Sequence, residues 1–176
     1  IRRQRQMCIR DSYSTSTIKT IADNADDASY LLLYTKQTPL KLGLYALERM
    51  TQIIQSSSEN AMVYADHYQL VDGVLKQAPV IDYQQGSLRD DFDFGSVLLF
   101  NSEIFTLASS ILEETVFQYA AFYEMRLMLG NLFQIIHINE FLYTEIETDT
   151  RKSGEKQFDY VNPKNREVQI LSLIHI

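Results

Sequence analysis

Short apolar runs alternate along the chain with stretches of helical periodicity. Residues 30–33 form an unbroken apolar run, the pattern of a strand covered on both faces in an α/β sheet. Pro39 then opens a segment in which Leu40, Leu44, Leu47, Met50 and Ile54 recur at helical spacing, with Lys41, Glu48, Arg49 and Gln52 opposite them. The prediction is strand, short polar loop, helix, with the loop at 34–38 as the first place to look for chemistry, since ligands bind at the carboxyl ends of strands in open α/β sheets. Upstream, Ile18, Ile21, Ala22 and Ala25 share one side of a helix predicted over 15–27, entered through the cap-rich residues 14–17. Downstream, three serines at 56–58 end the periodicity and 61–65 reads as a second buried strand, with Asp66 and His67 at its end. Asp72-Gly73 lies between two short apolar-alternating segments, the signature of a two-residue hairpin turn.

The remainder follows the same logic. Residues 78–89, with Pro79 and Gly86, are expected to be irregular. A short strand is predicted at 96–100, then a helix capped by Asn101 or Ser102 with Ile104, Leu107, Ala108 and Ile111 inward. A further helix at 118–129 is closed by Gly130, and strands at 133–138 and 141–146 complete the ordered part. Helices alternating with apolar strands predict an α/β layer structure with a hairpin on one edge.

Composition refines this picture at the ends. Residues 1–12 and 171–176 look like translated adapter sequence and are set aside, which leaves an expected partial domain at 13–147 and a polar tail or linker at 148–170. Without the first twelve residues the chain holds 12 basic and 22 acidic side chains, a balance that argues against a general nucleic-acid binder. The single cysteine, Cys8, falls in the excluded segment, so disulfides and thiolate metal sites are not expected.

Candidate chemistry is acidic and aromatic. Alternation puts Asp91 and Asp93 on one side of an extended segment and Phe92 and Phe94 on the other. Two carboxylates on an aromatic wall can bind a divalent cation, grip sugar hydroxyls or supply a base; alternatively Asp90 and Asp91 cap a turn and only Asp93 meets solvent. Asp93-Phe94-Gly95 also matches the kinase magnesium tripeptide, but no glycine-rich loop or His-Arg-Asp loop accompanies it. Asp66 and His67 are a plausible metal or diphosphate contact, or a hydrogen-bonded structural pair. Glu124 and Arg126 share an otherwise apolar helix, where a buried, paired Arg126 is structural and an open Glu124 carboxylate is a candidate base. Tyr119 and Tyr123 suit sugar stacking or an ordinary core edge, and His137 is read as a satisfied strand histidine.

The order of segments resembles a family-2 glycosyltransferase domain. The resemblance rests on STSTIKTIADNADDASYLLLYTKQTPLKLGLYALERM, MVYADHYQLVDG, DDFDFGSVLLFNSEIF, YAAFYEMRLMLG and IIHINEFLYTEIETDTRKSGEKQFDYVNP, and is strongest to members found in gut-type Bacteroidetes. It implies an incomplete GT-A (Rossmann-like) α/β fold, a mixed sheet flanked by helices. It also implies a nucleotide-sugar donor, a glycan or lipid-linked acceptor, and a second glycosyltransferase domain in the parent chain. A divalent cation (Mg or Mn) would bridge the diphosphate, with Asp66 and Asp93 as metal candidates. Lys36, Asp66 and His67 would lie near the donor, and Asp91, Asp93 and Glu124 near the acceptor, one of them taking the acceptor proton. Two departures stand out: the family's Asp-x-Asp falls on Tyr34-Thr35-Lys36, where Lys36 becomes a charge substitute, and the opening strand has no counterpart. The partial domain is accordingly expected to be inactive by itself. The rival expectation is a catalytically silent sugar-binding or scaffolding domain. The expected location is cytoplasmic, with the inner face of the membrane as a second option.

Overall fold

The computed structural model describes residues 13–25, 27–36, 38–85, 92–112 and 116–147. Along them run α1 (Thr15–Asn24), β1 (Tyr30–Tyr34), β2 (Leu40–Leu42), α2 (Ala46–Ile54), β3 (Asn60–Val71), β4 (Val74–Ala78), β5 (Val97–Asn101), α3 (Ser102–Leu112), α4 (Ala121–Leu132) and β6 (Gln134–Glu147). The strands form one curled mixed sheet in the order β1-β5-β3-β6-β2, with β4 pairing on β3. Only β3 and β6 pair in parallel. All other pairs are antiparallel. Strands β1, β3 and β6 therefore point one way, with β5 running against them between β1 and β3.

Helices cover both faces. On one, α1, α3 and α4 bury Ile18, Phe105 and Met125 against Met62, Tyr64 and Phe100. On the other, α2 buries Ala46, Met50 and Ile54 against Val63, Ala65, Leu99 and Ile138. Alternation along β3 thus feeds both cores, which is why 61–65 carries no polar residue.

Several elements differ from expectation. Leu40–Leu42 is a short strand on β6, not the start of a helix. Gly43 lies so close to the Leu142 carbonyl that a Cβ would collide with it, and the helix begins only after Tyr45, which sits at φ 62. Leu44 is consequently 86% exposed, and the inward stripe is Ala46, Met50 and Ile54. Helix α3 buries Ile104, Phe105, Ala108, Ser109 and Leu112, while Leu107 and Ile111 face out. Gly130 lies inside α4 because the Tyr83 ring packs where its Cβ would be. The two strands expected near the end are one bulged strand, β6, and the two expected at 61–65 and 68–71 are the single strand β3.

Other expectations hold. Ser14 caps α1 by accepting from the Thr17 amide, and Asn101 Oδ1 accepts from the Glu103 and Ile104 amides. Asp72 and Gly73 both adopt positive φ, as a type I′ hairpin turn requires. The polar tail at 148–170 lies outside the described residues.

Candidate functional site

Three chain segments meet where β1 ends and β5 begins. Tyr34 pairs with Val97, and the Thr35 amide donates to the Ser96 carbonyl at 2.9 Å. Residues 92–95 lead into β5 through Gly95, held at φ +74. Its Cα lies so close to the Tyr143 hydroxyl that any Cβ would displace it. That hydroxyl accepts the Ser96 amide at 2.9 Å, and burial pushes the Tyr143 phenol up to about 12.

Beside this junction opens a cleft of about 260 Å³. Its walls are aromatic, from Tyr13, Phe92, Phe94, Tyr119, Phe122 and Tyr123, and Thr35 and Gly95 form its edge. Phe92 and Phe94 are not on a regular strand; their rings lie 4.5 Å apart and both line the cleft. Asp93 is exposed between them, its Oδ1 accepting the Gly95 amide at 2.7 Å. Arg126 reaches the cleft from α4, with its guanidinium 5.2 Å from the Phe94 centroid and 5.0 Å from that of Phe122. Burial among these rings pushes its pKa down to about 10, so it remains a cation at neutral pH.

Two polar clusters lie on opposite faces of β3. On the α2 face, Glu145 is fully buried and forms an ion pair with the ammonium of Lys36, while its Oε1 lies 3.6 Å from His67 Nε2. His67 stacks on Tyr143, and burial holds its pKa below the usual imidazole value in spite of the Glu145 charge. On the other face, His137 stacks on Tyr64 and places Nε2 3.0 Å from Asp66 Oδ1 and Nδ1 2.5 Å from Asp82 Oδ1. Both contacts donate only when both ring nitrogens carry protons. The Val80 amide also donates to Asp66 Oδ1, and the Tyr64 hydroxyl donates to the Ile81 carbonyl and accepts from the Tyr83 amide. Residues 80–83 are thereby strapped across the sheet, with Tyr83 packed near Phe92 and Phe94.

The predicted site residues divide accordingly. Lys36, Asp66, His67 and Asp93 share one neighbourhood, since all three charged groups act electrostatically on His67. Asp66 and His67 nevertheless point to opposite faces and do not act as a pair. Asp91 lies outside the described residues. Glu124 is half-buried in the first turn of α4 and does not line the cleft. His137 is a hydrogen-bonded strand residue, as expected.

Of the two metal candidates, Asp66 has its Oδ1 engaged by His137 and the Val80 amide, and Asp93 has its Oδ1 engaged by the Gly95 amide. Lys36 is engaged by Glu145, and among the described residues no group of three or more His, Cys, Asp and Glu side chains is arranged to hold a metal. Glu145 and Arg126 were not foreseen as site residues. Also among the described residues, no helix is long and apolar enough to cross a membrane. Compared with known proteins, the chain matches no family model and no curated sequence.

Proposed function

We propose that the chain is part of a family-2-type glycosyltransferase domain, and that the aromatic cleft beside Asp93 receives the acceptor sugar. The observation that carries this reading is the placement of an exposed, oriented carboxylate at the mouth of an aromatic cleft, at the carboxyl end of β1. Aromatic faces suit the apolar face of a pyranose ring, and a carboxylate accepts hydrogen bonds from its hydroxyls. In the reaction, a nucleotide sugar is the donor and a glycan or lipid-linked sugar the acceptor. Asp93 takes the acceptor hydroxyl proton as the oxygen bonds to the anomeric carbon and the nucleoside diphosphate departs.

A second reading is favoured by one contact. Lys36, the residue standing where the resemblance expects carboxylates, is held by Glu145 and so is committed to a buried charge before any phosphate arrives. This favours a catalytically silent sugar-binding domain attached to an active neighbour. The test is donor hydrolysis or transfer by the full-length parent polypeptide, with and without manganese. Turnover abolished by Asp93→Asn, with an unchanged circular dichroism spectrum, supports the transferase. Turnover indifferent to Asp93→Asn removes that residue from the mechanism, and sugar binding without turnover supports the silent domain.

A further inference from the structure

Arg126 is an unusual residue to find in an aromatic cleft. Ring faces attract the flat sides of a guanidinium, but its five N–H groups lie in its plane and need acceptors. Its Nε is buried without a hydrogen-bond partner, and among the described residues no carboxylate lies within ion-pair distance of it. The carboxylate that shares the cleft with it is Asp93, which acts on Arg126 more weakly than Tyr123 and Tyr13 do and has its own Oδ1 occupied by the Gly95 amide. The cleft is therefore dipolar, with a cation toward α4 and a carboxylate at the mouth.

We infer that the ligand of this cleft carries an anionic substituent, a carboxylate or a phosphate, that docks on Arg126 while its hydroxyls face Asp93. A guanidinium matches both groups in a planar, two-point contact that an ammonium does not provide. The Asp93 charge disfavours an anion at the mouth, so only one orientation satisfies both ends. At about 260 Å³ the cleft lies below the roughly 300–1,000 Å³ typical for drug-sized ligands, which fits a single substituted ring. The identification of that ring as a sugar rests on the reading above; the anion does not.

Ligand-observed NMR titrations of the whole chain test this with methyl β-glucoside, methyl β-glucuronide, glucose 6-phosphate and inorganic phosphate. The expected result is binding of the glucuronide or the sugar phosphate at least about tenfold tighter than the neutral glucoside, the size of one charge-assisted contact. Which of the two binds better identifies carboxylate or phosphate. Arg126→Met keeps the stem and is expected to abolish the preference, and Arg126→Lys to retain part of it. Equal affinity for neutral and acidic glycosides in the unsubstituted chain overturns the inference and leaves the sugar reading standing. Inorganic phosphate binding as tightly as glucose 6-phosphate, and lost in Arg126→Met, supports the anion site and sinks the sugar. Binding of none of the four overturns both.

Discussion

Lys36→Met separates a structural lysine from one kept for a ligand. Glu145 is 0% exposed and its described cationic partners are Lys36 and His67, of which burial keeps His67 largely neutral at pH 7. Two unit charges about 4 Å apart attract by about 4 kcal/mol at an effective dielectric constant of about 20. Removing one partner of a buried pair costs about 3–5 kcal/mol, because the other charge is left without compensation. The Lys36 side chain is 41% exposed, so water already weakens this pair, and about 2–3 kcal/mol is the expected loss. Glu145→Gln alone leaves Lys36 free to turn into water and should cost only about 1 kcal/mol. The double variant should then be more stable than Lys36→Met alone, a non-additivity that a double-mutant cycle reads directly. Urea unfolding followed by far-ultraviolet circular dichroism at pH 7 gives these values from the midpoint shift at constant m. A Lys36→Met variant within about 0.5 kcal/mol of the parent refutes the reasoning and returns Lys36 to the pool of ligand contacts.

Other predictions concern the same junction. Gly95→Ala meets both a left-handed backbone and the Tyr143 hydroxyl, so a loss above about 2 kcal/mol is expected in the same urea assay; Gly73→Ala, also at positive φ but with open space around it, should cost only about 1 kcal/mol. His67 is held neutral by burial, so the unfolded chain takes up a proton near pH 6.5 that the folded chain refuses. Stability should therefore fall as pH drops below about 6.5, by up to about 1.4 kcal/mol per pH unit, until the lowered folded value is reached, and His67→Gln should flatten that slope in pH-dependent urea midpoints. Tyr64→Phe removes the hydroxyl that holds Ile81 and Tyr83, and should raise the rate of limited proteolysis at 80–83 with a stability loss of about 1–3 kcal/mol; unchanged proteolysis would show that the Asp66 and His137 contacts hold the strap without it.

The strands that set the floor of the site were legible because their apolar runs have no other explanation: 30–33, 61–65 and 97–100 are all in the central sheet. Asp93 is exposed, as both sequence readings of residues 90–94 had it. What escaped was governed by local backbone detail. Ile138 and Tyr143 are an odd number of residues apart, yet both pack on the α2 face. Register shifts in β6 opposite Asp66 and His67 make this possible, and they carry Glu145 to the His67 side, where strict alternation would have set it beside His137. No sequence pattern announces such a bulge. The helix boundary at Ala46 was missed for a similar reason, since the close approach of Gly43 to Leu142 is a tertiary contact that periodicity does not record. Arg126 was noticed, but as a structural residue should it be buried and paired; that it reaches a cleft depends on the packing of α4 against residues 92–94.

The β3–β4 hairpin offers a practical handle. From His67 to Val71 the strand advances four residues, about 14 Å, before it turns at Asp72 and Gly73, and Val74 and Leu75 just past the turn are exposed. A fluorophore, an affinity peptide or a surface tether placed at that tip would attach to residues that do not line the aromatic cleft, on a hairpin that belongs to the same sheet. Titrations on an immobilised chain could thus be run without the attachment competing for the pocket it is meant to report on.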